Sequence, residues 1–230
     1  MKFVLVNQVQ SSPLAAQVTP AWLDGCASAV GRQLAEHVAP EWGGTHSVRA
    51  SDGSDVGPDE ILFVLMDDLP NAPGAVAYHD VTGAAQPDAF LALNTCSTLD
   101  DVSIAISHEC CETVGDPECN FWTDDGQGSE WALELCDAVQ EGSYTISGVA
   151  VSDFLLRAFF APNGSGPYHY LGKMSGPDLA APFATGAGGY QITRSVGGGE
   201  TQVTGMLSEA KKKRHRHHAA RAHRRGVRHK

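Results

Sequence analysis

The chain is expected to fold as a mixed α/β (α+β) protein. A mixed sheet packs on one motif-bearing helix, a Gly/Pro-rich C-terminal part packs on that body, and a disordered basic tail follows. Three observations carry this expectation. Short apolar or alternating runs bounded by Gly, Pro and Asp recur through the first hundred residues, as strands do. A capped stretch of helical periodicity follows, from about Leu99 to Gly115. Beyond Phe160, turn formers replace periodic apolar residues. The divisions are 1–160 for the body, 161–210 for the extension and 211–230 for the tail.

The elements follow in order. Lys2 to Gln8 alternates apolar and polar residues and reads as a first strand. Pro20 opens a helix on which Trp22, Cys26, Val30, Leu34 and His37 recur at helical spacing, ending before Pro40. His46 to Ala50 is a short strand, and Ser51 to Pro58 a Gly/Asp/Ser loop. Glu60 to Met66 is apolar on both faces, which marks a central strand. Ala75 to His79 and Ala89 to Asn94 are further strands. Thr98 and Asp101 then form a helix-capping pair, and Pro117 marks the end of the helix they open. A short helical stretch is expected around Trp131 to Val139, with Trp122 and Trp131 covering the core beside the motif helix, and a hairpin about Ser147-Gly148. The Gly/Pro-rich part should be extended and loop-like.

Charge divides the chain. Residues 211–230 hold 10 of the 16 Lys and Arg and no acid, so residues 1–210 carry 6 basic against 27 acidic residues, a formal charge of −21. The tail cations Lys211, Lys212, Lys213, Arg214, Arg216, Arg221, Arg224, Arg225 and Arg228 suit salt-sensitive, sequence-independent binding to nucleic acid; the competing partner is the acidic body or another acidic protein. No apolar run approaches the roughly 20 residues that span a bilayer, and the N-terminus turns polar too early for a secretion signal. The six cysteines include no C-x-x-C pair, so buried free thiols are expected in preference to a zinc knuckle or a disulfide framework. The acidic run Asp116, Glu118, Asp124, Asp125 and Glu130 lacks the full spacing of a calcium loop and reads as solvated. His79, beside Asp80, reads as a structural strand-end histidine, with orientation of a substrate as the sharper alternative.

The chemistry-bearing stretch is Ser107-His108-Glu109-Cys110-Cys111-Glu112, continuing to Gly115-Asp116-Pro117-Glu118. Helical spacing stacks His108 and Glu112 on one face, on a row that apolar residues lead into. A His and a Glu on a core-facing row need partners, which a metal ion or a hydrogen-bond network supplies. Glu109 is turned about 100° from His108.

This H-E-x-x-E resembles the H-E-x-x-H of zincin metalloproteases, with a carboxylate in the second ligand position. Strand, helix, three or four strands and then a metal-bearing helix is also the zincin layout, so the resemblance covers roughly 1–140 and implies a zincin-like fold. It further implies a metal-dependent peptidase: His108 and Glu112 ligate, Glu109 is the general base, and activated water attacks a peptide carbonyl. One divalent ion is implied, zinc first, with manganese, iron or calcium suiting the oxygen-rich ligands. Two patterns offer a third ligand. The metzincin pattern points to Glu118, with Met174 as a Met-turn remnant. The gluzincin pattern points to a following helix bearing Glu134, with Asp137 beside it. Glu134 and Asp137 are favoured; Asp116 and Glu118 stay open.

The motif is also similar to a group of small zincin-like proteins of tailed phages and prophages. The shared residues are Ser107 to Pro117, the E-x-x-D of Glu134 to Asp137, Tyr144 and Gly188 to Tyr190. That resemblance implies a virion or host-cytoplasmic setting and no membrane. Partners would be virion subunits or, for an active enzyme, a peptide or protein substrate. The alternative function it implies is a catalytically inactive structural protein of a phage virion; the basic tail, outside the shared pattern, would then touch nucleic acid or an acidic partner.

Overall fold

The computed structural model of the protein describes residues 1–81, 86–195 and 198–206. The architecture is mixed α/β with three sheets and a few helices. The largest sheet holds β1 (Lys2–Asn7), β2 (Ser47–Ser51), β3 (Ile61–Met66), β4 (Ala77–Val81) and β5 (Pro87–Ala92) in the order β2-β1-β3-β5-β4. Its strands run parallel except for the edge strand β4, which is antiparallel to β5. The doubly apolar β3 takes the centre, as its composition requires.

Both long helices pack into the core on one face of this sheet. Phe3, Leu5, Phe63, Leu65 and Leu91 meet Leu23, Cys26, Val30 and Leu34 of the first helix and Val102, Ile106 and Cys110 of the second. The first helix, α1 (Pro20–Arg32), starts where Thr19 accepts a bond from the Trp22 N–H. It does not stop before Pro40. A π-helical turn, Gln33–Val38, continues it into α2 (Ala39–Trp42). The wider turn bonds the Ala39 N–H to the Leu34 carbonyl, and Pro40 falls in the first turn of α2, where its missing N–H removes no ladder bond.

The motif helix α3 (Leu99–Gly115) begins with the expected capping box. The Thr98 side chain accepts from the Asp101 N–H, and the Asp101 carboxylate accepts from the Thr98 N–H. α3 lies against β4, β5 and β9 (Val149–Ser152). β9 pairs with β8 (Ser143–Ile146) across Ser147 and Gly148, both at positive φ, as a tight two-residue hairpin requires.

The stretch expected to be helical from Trp131 to Val139 is not. β6 (Trp122–Asp124) and β7 (Ser129–Ala132) form a hairpin, and only Asp137–Val139 turns, as a 3-10 helix. Trp131 pairs on both sides, with Thr123 and with Thr193, so cross-strand bonding overrides the local pattern. The Gly/Pro-rich part contributes the short α4 (Tyr170–Met174) and the hairpin β10 (Tyr190–Ser195) and β11 (Glu200–Thr204), which completes a sheet in the order β11-β10-β7-β6. Trp122 packs in the small cluster of Ala132, Tyr190 and Ile192 under the Arg194 guanidinium, and Trp131 against Phe183. Both tryptophans thus serve this second sheet. No helix is long and apolar enough to cross a membrane among the described residues.

Where β9 ends, Asp153 accepts from the amides of Phe154 and Leu171 and bonds the His169 ring. Burial of that ring opposes its charge, but the bond to Asp153 and its negative charge outweigh this, and His169 titrates above its ordinary range. A raised folded-state value means a contribution fully present below the unfolded value of 6.5 and lost as pH climbs through the folded one. The urea stability gap between wild type and His169→Asn should therefore shrink from about pH 6 to about pH 9. A gap that widens with pH would mean the pair does not act this way.

Candidate metal centre

Three elements converge behind the sheet edge. α3 supplies His108, Glu109 and Glu112, all buried. The 3-10 turn supplies Asp137, and β4 supplies His79. His108 Nε2 lies 2.9 Å from Glu112 Oε1 and 3.1 Å from Asp137 Oδ1. These three residues can each offer one ligand atom within 4.8 Å of the others. An imidazole and two carboxylates make a donor set that divalent cations accept, and three protein ligands leave room for a further one. Burial of the His108 ring opposes its charge, yet the Glu112 and Asp137 carboxylates hold its pKa well above the ordinary histidine range. The negative field that stabilises the proton there would equally stabilise a cation.

Asp137 is positioned by close backbone approach on both sides. On the helix side, a Cβ on Gly115 would lie 2.6 Å from Leu135 Cγ, so only glycine at the end of α3 lets Leu135 seat. On the other side, Gly186 donates its N–H to the Ala138 carbonyl, and a Cβ on Gly189 would lie 2.2 Å from that oxygen. Gln140 Nε2 also bonds the Gly188 carbonyl. The late glycines thus hold the turn that carries Asp137.

The back of α3 is fixed by a polar chain. Ser107 Oγ donates to Gln33 Oε1 and accepts from the Ser152 N–H, and Gln33 Nε2 donates to the Ser152 carbonyl. Gln33 opens the π turn, so the irregularity in the first helix aligns a side chain that locks α3 and β9 together. Tyr144 joins this group through Gln33 and His37, away from the converging ligands.

Several expected roles fall elsewhere. Glu134 is buried on the irregular segment after β7, not on a helix, and belongs to neither group of converging ligand atoms. The Asp116 side chain is buried at the end of α3, where it accepts from the amides of Asn120 and Phe121 and shapes the loop. Glu118 is exposed and bonds Asn120. Met174 is 60% exposed on α4, so it is no Met-turn beneath the ligands. Asp125 and Glu130 serve β7: Asp125 accepts from the Trp131 indole, and Glu130 pairs with Arg194. All six cysteines are free thiols. Burial drives the Cys110 and Cys136 thiols well above their usual range. The tail cations Lys211, Lys212, Lys213, Arg214, Arg216, Arg221, Arg224, Arg225 and Arg228 lie outside the described residues.

His79 is the residue that sequence reasoning undervalued. Its Nδ1 lies 3.2 Å from Glu109 Oε2, and its Nε2 2.9 Å from the Asp116 carbonyl. Its carboxylate partner is therefore Glu109, thirty positions away, and not the adjacent Asp80. The signal lay in strand alternation: Ala77 packs in the core facing the helices, so His79, two residues on, faces the same way. Comparison with family models, curated proteins and solved structures gave no match to the chain.

Gly115→Ala should lower stability by about 1–3 kcal/mol in urea denaturation, because the added methyl meets Leu135. Adding Leu135→Ala should make the double variant less destabilised than the sum of the two single changes. Strict additivity would show that the two residues do not press on one another.

Proposed function

We propose that the protein is a zincin-like, metal-dependent peptidase whose cation is held by His108, Glu112 and Asp137. The observation that carries this reading is the single His108 nitrogen set between the Glu112 and Asp137 carboxylates. The order of elements supports it: a strand, a helix, four further strands and then the ligand-bearing helix beside the edge strand. The buried charge supports it too. Glu109, Glu112 and Asp137 are all buried, and no Lys or Arg is buried among the described residues. Carboxylates out of water need a compensating positive charge close by.

When bound, a divalent cation there would supply Lewis acidity toward a carbonyl and toward water. The chain's own contribution is a fixed ligand cage. His108 and Glu112 are held on one helix face, Asp137 is clamped against them, and the Ser107–Gln33–Ser152 bonds keep the helix from turning. Glu109, the residue for proton transfer, is oriented by His79. One imidazole and two carboxylates suit zinc, manganese, iron or calcium.

Burial favours a second reading. His108, the most exposed of the three ligands, is only 8% accessible. Such a site also suits a cation that stabilises a virion structural protein, with the basic tail touching nucleic acid or an acidic partner subunit.

Elemental analysis of the full chain and of His108→Gln, purified without metal resin, checks the cation. Tail histidines are common to both proteins, so the difference reports the site. Wild type should hold about one more equivalent than the variant, in line with one site held by three protein ligands. Equal metal in both would remove the cation reading. Given metal, Glu109→Gln should cut proteolysis of an unfolded protein substrate by about 10²–10⁴-fold. No proteolysis by wild type would leave the structural reading.

A further inference from the structure

We infer that the centre has a second divalent-cation site, formed by His79, Glu109 and Glu112, and that Glu112 bridges the two. The inference rests on the cation reading above and extends it. The Glu112 carboxylate presents one oxygen to each imidazole: Oε1 lies 2.9 Å from His108 Nε2, and Oε2 lies 3.9 Å from His79 Nδ1. His79, Glu109 and Glu112 form their own converging group, with ligand atoms within 4.8 Å of one another and all three residues buried. Paired cations in hydrolytic centres lie about 3.5–4 Å apart, a separation that one carboxylate with an oxygen on each ion can span.

The tautomer of His79 supplies an independent argument. Its Nε2 faces the Asp116 carbonyl at 2.9 Å. A carbonyl can only accept, so Nε2 carries the hydrogen. Nδ1 then faces Glu109 Oε2 at 3.2 Å and Glu112 Oε2 at 3.9 Å. A nitrogen set this close to carboxylate oxygens needs a positive centre between them, and that centre is either a proton or a cation. An imidazole whose outer N–H is fixed by a backbone carbonyl, with its inner nitrogen aimed at carboxylates, is the arrangement of a metal-ligating histidine with its supporting hydrogen bond. The backbone makes room for it. Leu5, Phe63, Ala89 and His79 are successive partners across four strands, and the small Ala89 beside His79 leaves space for the ring on the helix-facing side. The donor set, one imidazole and two carboxylates, repeats that of the first site, so both sites would take the same class of ion.

Manganese(II) titration of the full chain, followed by electron paramagnetic resonance, tests this. Wild type should take up one more ion than His79→Gln and show the spectrum of an exchange-coupled pair. His79→Gln should keep the first ion and show only isolated manganese. Tail histidines contribute equally to both proteins and give no coupled signal. Equal uptake by wild type and His79→Gln, with one ion lost in His108→Gln, would overturn the second site and leave the first intact. Equal uptake in all three proteins would remove both. If His79→Gln does not fold, wild type alone decides: a spectrum of isolated ions at saturation overturns the bridged pair.

Discussion

The structure turns on one carboxylate, that of Glu112, buried on the core side of its helix between two imidazoles. A charge in that position is unfavourable unless positive groups are held close to it. The rest of the fold brings the surrounding groups from different directions. The edge strand of the main sheet brings His79, the same helix brings His108 one turn earlier, and a 3-10 turn sets a second carboxylate, that of Asp137, against the same His108 nitrogen. None of these groups tolerates much displacement, because each hydrogen-bond distance at the centre depends on the phase of one helix.

That phase is set at both ends and in the middle. The capping box at Thr98 and Asp101 starts the helix in a defined register. Ser107 ties its back to Gln33 and to the Ser152 amide. Gly115 then allows Leu135 to approach closely enough for the chain to turn back and deliver Asp137. The π turn in the first helix belongs to the same system. It places Gln33 where a polar link is needed and His37 where it stacks on Tyr170 and bonds Tyr144. Irregular backbone here positions side chains that a regular helix would turn elsewhere.

The sequence states some of this openly and hides the rest. Periodicity alone marks the strands of the main sheet, both long helices and the capping box, because those segments are long and agree with their tertiary role. The pairing of His108 with Glu112 is equally readable, since four-residue spacing fixes it. Other features depend on pairing that local pattern does not carry. The Ser129–Ala132 strand is four residues long and exists because partners flank it on both sides. Asp137 reaches His108 through a turn held by glycines some fifty residues downstream, so helical spacing from Glu134 was the wrong ruler. His79 gains its meaning from Glu109, which only the sheet edge brings near. The passage through Pro40 needs a π turn that no periodicity announces.

The clamp on the Asp137 turn also orders events during synthesis. The helix carrying His108 and Glu112 is made well before Gly186 and Gly189, whose backbone presses on Ala138. Chains emerge from the N-terminus at about 5–20 residues per second, so there is an interval of several seconds in which the imidazoles and glutamates exist without a fixed Asp137. The turn that carries Asp137 is clamped only once the segment with Gly186 and Gly189 has been made, so the arrangement around His108 is among the later parts of the fold to be fixed.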